Sequence, residues 1–355
     1  MDVRDFSFNL PQELIAQEPP AARGSSRLLH LDRRTGARTH SSVDHVAQFL
    51  DPGDVVVVNN TRVFPARLLG RREPSGGAVE CLLVSRTGTD AEGSSEVWLA
   101  LMHPGQKLAP GARVVFDGAD GRLLRGEVLE RLFHGRRSIR LWTDDGGTIQ
   151  EAVDAIGHMP LPPYIKRDDR ADDRERYQTV FARQRGSIAA PTAGLHFTPP
   201  ILESLLGRGV EIAEITLHVG YGTFQPVRVE RVEEHRLEAE HYEVPEAAAQ
   251  AIEAARSAER RVVAVGTTTT RTLEAVAAAH EGRIVACGGA TSLFIYPGFR
   301  FRVVSGLLTN FHLPASSLLM LVAAFGGQGA VMDTYADAIA EQYRFYSYGD
   351  AMLVT

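Results

Sequence analysis

The chain reads as an α/β protein interrupted by a β-rich insert. Three observations predict this. At 355 residues it suits two domains, or one large domain carrying an insertion. From residue 155 onward strand and helix signals alternate, the pattern of a mostly parallel sheet or an α/β barrel. Between 66 and 150 the helix signals thin out and short β-rich runs alternate with Gly-rich turns, which reads as a small sandwich or barrel.

Taken in order, Leu10-Pro11-Gln12-Glu13-Leu14-Ile15 predicts a helix start, with Pro11 near the first turn. Val55 to Val58 is a β-branched run behind the Pro52-Gly53 turn, hence a buried strand. The insert offers strands over Ala78 to Val84, Glu96 to Leu101, Arg113 to Phe116, Leu123 to Leu129 and Ser138 to Trp142. Thr198-Pro199-Pro200 opens a helix that Gly207 or Gly209 can end. Val210 to Leu217 is a strand, Pro245 to Ala258 an Ala- and Glu-rich helix, Val262 to Val265 a strand, and about Thr270 to His280 a helix. Ser316 can cap a helix running to Ala324. The last helix sets Met332, Tyr335, Ile339 and Tyr343 on one face.

Composition narrows the function classes. Hydrophobic residues make up 44% of the chain and the net charge is −6, so neither global disorder nor a polybasic binder fits. Cys81 and Cys287 stand far apart with no Cys-x-x-Cys pair, which points away from structural zinc and toward a reducing compartment. The start, Met1 to Asp5, lacks a signal-peptide apolar run, and Leu318 to Phe325 is too short to span a bilayer. The expectation is a cytoplasmic protein with no membrane association.

Four segments concentrate Gly, Thr and His at strand ends, where α/β proteins place their sites. Ala189 to Thr198 contains Thr192, Gly194 and His196 ahead of a helix; small residues admit a ligand and His196 can transfer protons, or the loop is simply a helix cap. Thr216 to Phe224 places His218 before Gly220-Tyr221-Gly222-Thr223, a weak phosphate-type signal that is equally a tight turn. Gly266-Thr267-Thr268-Thr269-Thr270-Arg271 runs from strand to helix and suits an anion, although without the Lys of a P-loop. Thr309-Asn310-Phe311-His312 precedes an apolar helix and offers His312. The tail Tyr343 to Asp350 can hold a heterocycle or merely pack.

Arginines 122, 125, 131, 136, 137 and 140 gather in the insert with His134 among them, and Arg62 and Arg67 flank its entry. Basic side chains on a small β domain suit RNA phosphates, while a solvated strand face is the plainer account. His235, Glu238, Glu240, His241 and Glu243 do not form a recognised zinc arrangement, so no metal is expected.

Together these strings resemble the S-adenosylmethionine:tRNA ribosyltransferase-isomerase family of queuosine biosynthesis. The resemblance runs from Asp5-Phe6-Ser7-Phe8-Asn9-Leu10-Pro11 through Asn59-Asn60-Thr61-Arg62-Val63-Phe64-Pro65 and Pro160 to Ile165, and ends in Ser347-Tyr348-Gly349-Asp350. Its most specific stretches are Ala189 to Thr198 and Thr309 to Pro314. Departures stand at Glu238, where the family usually has His, at Ser305 in place of Asp, and at Thr270 in place of Val. The resemblance implies a barrel-like main α/β domain, residues 1–65 plus 155–355, with a small β-barrel inserted at 66–154. It implies transfer and isomerisation of the ribosyl group of S-adenosylmethionine onto 7-aminomethyl-7-deazaguanine in tRNA. S-adenosylmethionine is then a co-substrate, no prosthetic group is needed, and a monomer is expected.

On that reading His196 or His218 is the base, and His312 or Asp350 assists adenine departure. Thr192, Gly194, Gly220, Thr223, Gly266, Thr267, Thr268, Arg271 and Asn310 bind S-adenosylmethionine, the Gly266–Thr268 loop and Arg271 taking the methionine carboxylate. Arg62, Arg67, Arg136 and Arg137 meet tRNA. Two rivals fit less well. A conventional methyltransferase wants a Gly-x-Gly loop after its first strand, where this chain has Asn59-Asn60. A non-catalytic RNA binder has no use for four His/Thr/Gly loops.

Overall fold

The computed structural model describes all residues except Ala91, Ala119, Asp120, His134 and Gln225, with Thr223 and Phe224 described by backbone alone. The chain divides into two compact units: Met1–Arg62, Pro163–Arg167 and Arg176–Thr355 form one, and Val63–Pro162 with Asp168–Glu175 form the other.

The strands in chain order are β1 (Arg27–Leu31), β2 (Arg38–Ser42), β3 (Val55–Asn59), β4 (Thr61–Val63), β5 (Arg67–Glu73), β6 (Ala78–Thr89), β7 (Ser95–His103), β8 (Arg113–Asp117), β9 (Leu123–Arg131), β10 (Arg136–Thr143), β11 (Gln184–Ser187), β12 (Glu211–Leu217), β13 (Glu240–Val244), β14 (Val262–Val265), β15 (Cys287–Thr291), β16 (Gly306–Asn310) and β17 (Ala351–Val354). The helices are α1 (Ile149–Ile156), α2 (Asp173–Arg176), α3 (Pro199–Gly207), α4 (Glu246–Ser257), α5 (Thr267–Ala279), α6 (Ser317–Gly326) and α7 (Gln328–Ala340).

The larger unit is built on a nine-stranded sheet ordered β15-β13-β12-β3-β14-β16-β17-β1-β2. Its centre, β12, β3, β14 and β16, is parallel. Such strands are buried on both faces, so they read as unbroken apolar runs. The strand period of two then sorts the side chains. Val55, Val57, Val262 and Ala264 join the core under α4 to α7. Val56, Val58, Val263 and Val265 join the opposite core under α3. Because β3, β12, β14 and β16 run the same way, Asn59, Leu217, Val265 and Asn310 end at one edge of the sheet. Ligands of open α/β sheets bind outside that carboxyl edge.

In the smaller unit, β5 to β10 close an antiparallel barrel in the order β10-β7-β6-β5-β8-β9. Leu68, Cys81, Leu83, Val114, Leu124, Val128, Ile139 and Leu141 fill its interior. Gly126 is a packing requirement there: a Cβ would lie 2.8 Å from Ile139 Cδ1 and 2.9 Å from Val114 Cγ2.

Three expected elements differ. Leu10 to Ile15 supplies only a 3-10 turn, Gln12–Leu14, because Ile15 goes extended and bridges to Phe345. α5 begins at Thr267 rather than near Thr270, since Gly266 takes φ 90° and turns the chain straight from β14 into the helix. α7 ends at Ala340, so Tyr343 is buried from the segment beyond it. Among the described residues no single helix is long and apolar enough to cross a membrane; α6 and α7 reach that length only as a pair bent by 115°.

Candidate active site

The carboxyl edge of the parallel strands holds a cavity that opens to solvent. Of the residues expected to bind S-adenosylmethionine, Thr192, Gly266, Thr267, Thr268 and Asn310 line it, together with His312. Thr192 stands in a 3-10 turn, Thr192–His196, that leads to Thr198, whose Oγ1 accepts from Ile201 N and caps α3. Within α5, Thr269 Oγ1 donates to Val265 O, Thr270 Oγ1 to Gly266 O and Thr272 Oγ1 to Thr268 O. Those three hydroxyls are absorbed by the helix. Thr267 and Thr268 are the two that line the cavity, beside the first amides of a 13-residue helix. That is an anion-receiving arrangement.

Asn310 is 2% exposed. Its Nδ2 lies 3.0 Å from Tyr346 O and 3.1 Å from His196 Nε2. Its Oδ1 is buried without a partner. Tyr346 holds φ 77°, an unusual conformation for an aromatic residue, of the kind that costs about 1–3 kcal/mol. The strain sits where the Tyr346 carbonyl accepts from Asn310 and its N–H donates to Phe311 O. Phe311 is packed edge-on against Tyr335 and Tyr343 and tilted against Phe345, which ties the end of β16 to the C-terminal tail.

His312 places Nε2 2.9 Å from Thr309 Oγ1, and its backbone N–H donates to Tyr335 Oη at 3.0 Å. Burial lowers its pKa to about 3. Burial likewise lowers His196 to about 4, with Asp350 opposing the shift. Both rings are therefore neutral at pH 7. His196 lines a small neighbouring cavity with Arg23, Tyr348 and Gly349, and touches the first cavity's wall through Asn310.

Other expected residues are placed elsewhere. His218 is not among the residues lining either cavity; its Nδ1 lies 2.8 Å from Thr61 Oγ1, and Gly186 leaves room for its ring, since a Cβ there would sit 2.6 Å from Cε1. Gly220 N donates to Glu240 Oε1 at 2.9 Å, so that amide is engaged within the protein. Gly194 is a packing residue, its missing Cβ leaving space for Thr179 and Phe181. The side chain of Thr223 lies outside the described residues, as does His134.

Three expectations are corrected. Arg271 does not face the cavity: its Nη1 meets Glu240 Oε2 at 2.6 Å, its Nε donates to Leu293 O, and it is 5% exposed. Asp350 lines neither cavity and is held as a structural ion; it accepts from Arg27 N, Arg27 Nε and Arg344 N and pairs with both guanidinium groups. Arg137 is buried at 1% exposure, donating to Leu108 O and Arg136 O, so it cannot reach a phosphate without leaving its carbonyl cage. Of the remaining arginines named for tRNA, Arg67 pairs with Glu80 at 2.7 Å, Arg136 is partly exposed and Arg62 is exposed.

Sequence reasoning gave no site role to Tyr335, Thr61 or Glu240. Glu240 and Thr61 act through partners far away in the chain, Arg271 and His218, and Tyr335 receives a backbone amide; none of these leaves a local signal. Thr309 differs in this respect, because it stands in the same Thr-Asn-Phe-His string as its partner His312. At Ser305 the departure from the family string has a use here: its Oγ accepts from Val262 N at 2.8 Å and links β14 to the segment before β16. Among the described residues no group of three His, Cys, Asp or Glu is placed to hold a metal ion.

Residues 3–354 match the sequence model of the family described as queuosine biosynthesis protein. The chain is 51% identical to the S-adenosylmethionine:tRNA ribosyltransferase-isomerase of Desulfitobacterium hafniense, over the whole of both chains. It is 47% identical to the protein of the same name from Acetivibrio thermocellus, again over the whole of both. It is similar to the crystal structure of S-adenosylmethionine tRNA ribosyltransferase from Thermotoga maritima, with TM-score 0.55, 36% identity, and coverage of 99% of this chain and 100% of that one. The chain belongs to the S-adenosylmethionine:tRNA ribosyltransferase-isomerase family of queuosine biosynthesis.

Proposed function

We propose that this enzyme moves the ribosyl group of S-adenosylmethionine onto 7-aminomethyl-7-deazaguanine in tRNA and isomerises it to the epoxy-cyclopentane of epoxyqueuosine, releasing adenine and methionine. The observation that carries the reading is the cavity at the carboxyl edge, where the start of α5, the buried Asn310 oxygen and His312 meet. The helix start takes the methionine carboxylate through Thr267 and Thr268. Neutral imidazoles suit a cationic sulfonium, which would be repelled by an imidazolium.

The sulfonium acidifies the adjoining ribose carbon. His312, which lines the cavity with one ring nitrogen held by Thr309, is the group we assign to take that proton. The same imidazole can hand that proton to the departing adenine ring, and the attacking amine releases its own proton to solvent once the new C–N bond has formed. The carboxylate arriving at α5 raises the proton affinity of His312 toward the useful range. The target base must lie outside a regular stack, as in an anticodon loop, and Arg62, Arg67 and Arg136 are the proposed phosphate contacts. On this reading the protein works as a cytoplasmic monomer without a prosthetic group.

The test is incubation with S-adenosylmethionine and tRNA bearing the aminomethyl deazaguanine, followed by nucleoside mass spectrometry and chromatography of small products. Epoxyqueuosine with equimolar adenine and methionine is expected. Release of S-adenosylhomocysteine, or an unchanged tRNA, would overturn the reading.

A further inference from the structure

The carboxamide of Asn310 has two N–H donors and one oxygen. One donor faces Tyr346 O at 3.0 Å, a carbonyl that can only accept. The other faces His196 Nε2 at 3.1 Å. The Tyr346 contact fixes which end of the amide is nitrogen, so His196 must present its Nε2 lone pair and carry its proton on Nδ1. His196 then cannot take a substrate proton at Nε2, because that lone pair is already occupied. The oxygen of the same amide is left buried with no partner, on a residue that lines the cavity. A buried acceptor in this state calls for a donor from the ligand.

The neighbourhood selects the donor. Val265 pairs with Leu308, and Gly266 N donates to Leu308 O, so the first residues of α5 and Asn310 close adjacent strands at the same edge. An amino-acid head group carries a carboxylate and an ammonium on one carbon. The helix start suits the first and the Asn310 oxygen the second. Adenine offers an amino group but no anion for the helix.

We propose that Asn310 Oδ1 receives the α-ammonium group of S-adenosylmethionine, and that His196 is the positioning residue that aims it, an inference that rests on the transferase reading above. His196 and the strained Tyr346 carbonyl clamp the amide from two sides, and the clamp discriminates head groups by their amino group.

The test compares binding of S-adenosylmethionine, its α-keto analogue lacking the amino group, and 5′-methylthioadenosine, which lacks the head group entirely. Wild-type protein is expected to bind S-adenosylmethionine about tenfold to a hundredfold more tightly than the keto analogue, the range of a hydrogen bond to a charged group. This arm needs no substitution and so does not depend on a variant folding. Asn310→Ala is expected to erase that preference while leaving 5′-methylthioadenosine within about twofold. His196→Leu is expected to match Asn310→Ala, the double variant to lose nothing more, and His196→Gln, which keeps an acceptor, to recover most of the preference. Equal binding of the keto analogue by wild-type protein overturns the proposal, as does an Asn310→Ala loss that falls equally on 5′-methylthioadenosine. Fully additive losses in the double variant overturn the role of His196. Wild-type protein that binds none of the three ligands refutes the transferase reading itself, and this inference with it.

Discussion

At the carboxyl edge of the large sheet Thr267, Thr268, Asn310 and His312 are each no more than 7% exposed, whereas the barrel sets several of its outer arginines against carboxylates. Arg71 meets Asp117, Arg125 meets Glu73 and Asp144, and Arg140 meets Glu127. Among the described residues the two units also bury one arginine apiece, in different ways. Arg271 is held by the Glu240 carboxylate, and Arg137 by carbonyl oxygens. Buried polar groups demand partners, so the α/β unit must lock its polar residues in fixed orientations, and that is what a reaction site requires. The barrel's outer pairs are partly exposed, so each contributes little to its stability.

The sharpest way to break this contrast is Glu240→Ala. It leaves the Arg271 guanidinium buried without its counter-ion and frees Gly220 N, and about 3–5 kcal/mol of stability should be lost. An exposed barrel pair such as Arg140–Glu127 should change by less than about 1 kcal/mol on Glu127→Ala. Urea unfolding of the two variants side by side checks both, and equal losses would erase the distinction.

Acid should strike the α/β unit next. His196 and His312 are neutral when folded, with pKa values of about 4 and about 3, below the ordinary 6.5. The unfolded chain therefore binds more protons below pH 6.5. Their stabilising contribution is complete above that pH and is lost as pH falls toward 4 and then 3, at roughly 1.4 kcal/mol per pH unit for each ring. Unfolding of wild-type protein and His312→Gln at pH 6 and 5 should show the variant's acid slope reduced by about one proton. Parallel slopes would mean that His312 is not buried neutral.

Thr268→Val removes one cavity hydroxyl and keeps the shape. KM for S-adenosylmethionine should rise about fivefold to tenfold with tRNA KM unchanged, which steady-state kinetics in each substrate resolves. The smallest effect belongs to the barrel. Arg136→Ala should weaken tRNA binding evenly across sequences and lower the salt slope by about one, whereas a change confined to one tRNA would argue for base reading.

The architecture was legible where physics is local. Val55 to Val58 and Val262 to Val265 announce buried parallel strands, and the run of strands after residue 66 announces the barrel. The four loops were legible as strand-end clusters, and six of the proposed residues do share one cavity. Which side chain faces the ligand was not legible. Arg271 follows the threonine run directly, yet one helical turn carries it around to Glu240, 31 residues back in sequence. Asp350 and Arg137 look reactive as letters and are consumed by partners that only folding brings near. The His196–Asn310 clamp spans 114 residues, and the protonation state it imposes is a property of that pairing alone.

S-adenosylmethionine is proposed to lie in the cavity between the start of α5 and Asn310. A crystal structure of the enzyme with S-adenosylmethionine or a non-reactive analogue tests this most directly. The methionine carboxylate should sit on the amides and hydroxyls of Thr267 and Thr268, the ammonium on Asn310 Oδ1, and the ribose within hydrogen-bond reach of His312. A ligand seated instead at His218 and Gly220, with the α5 start untouched, would contradict it.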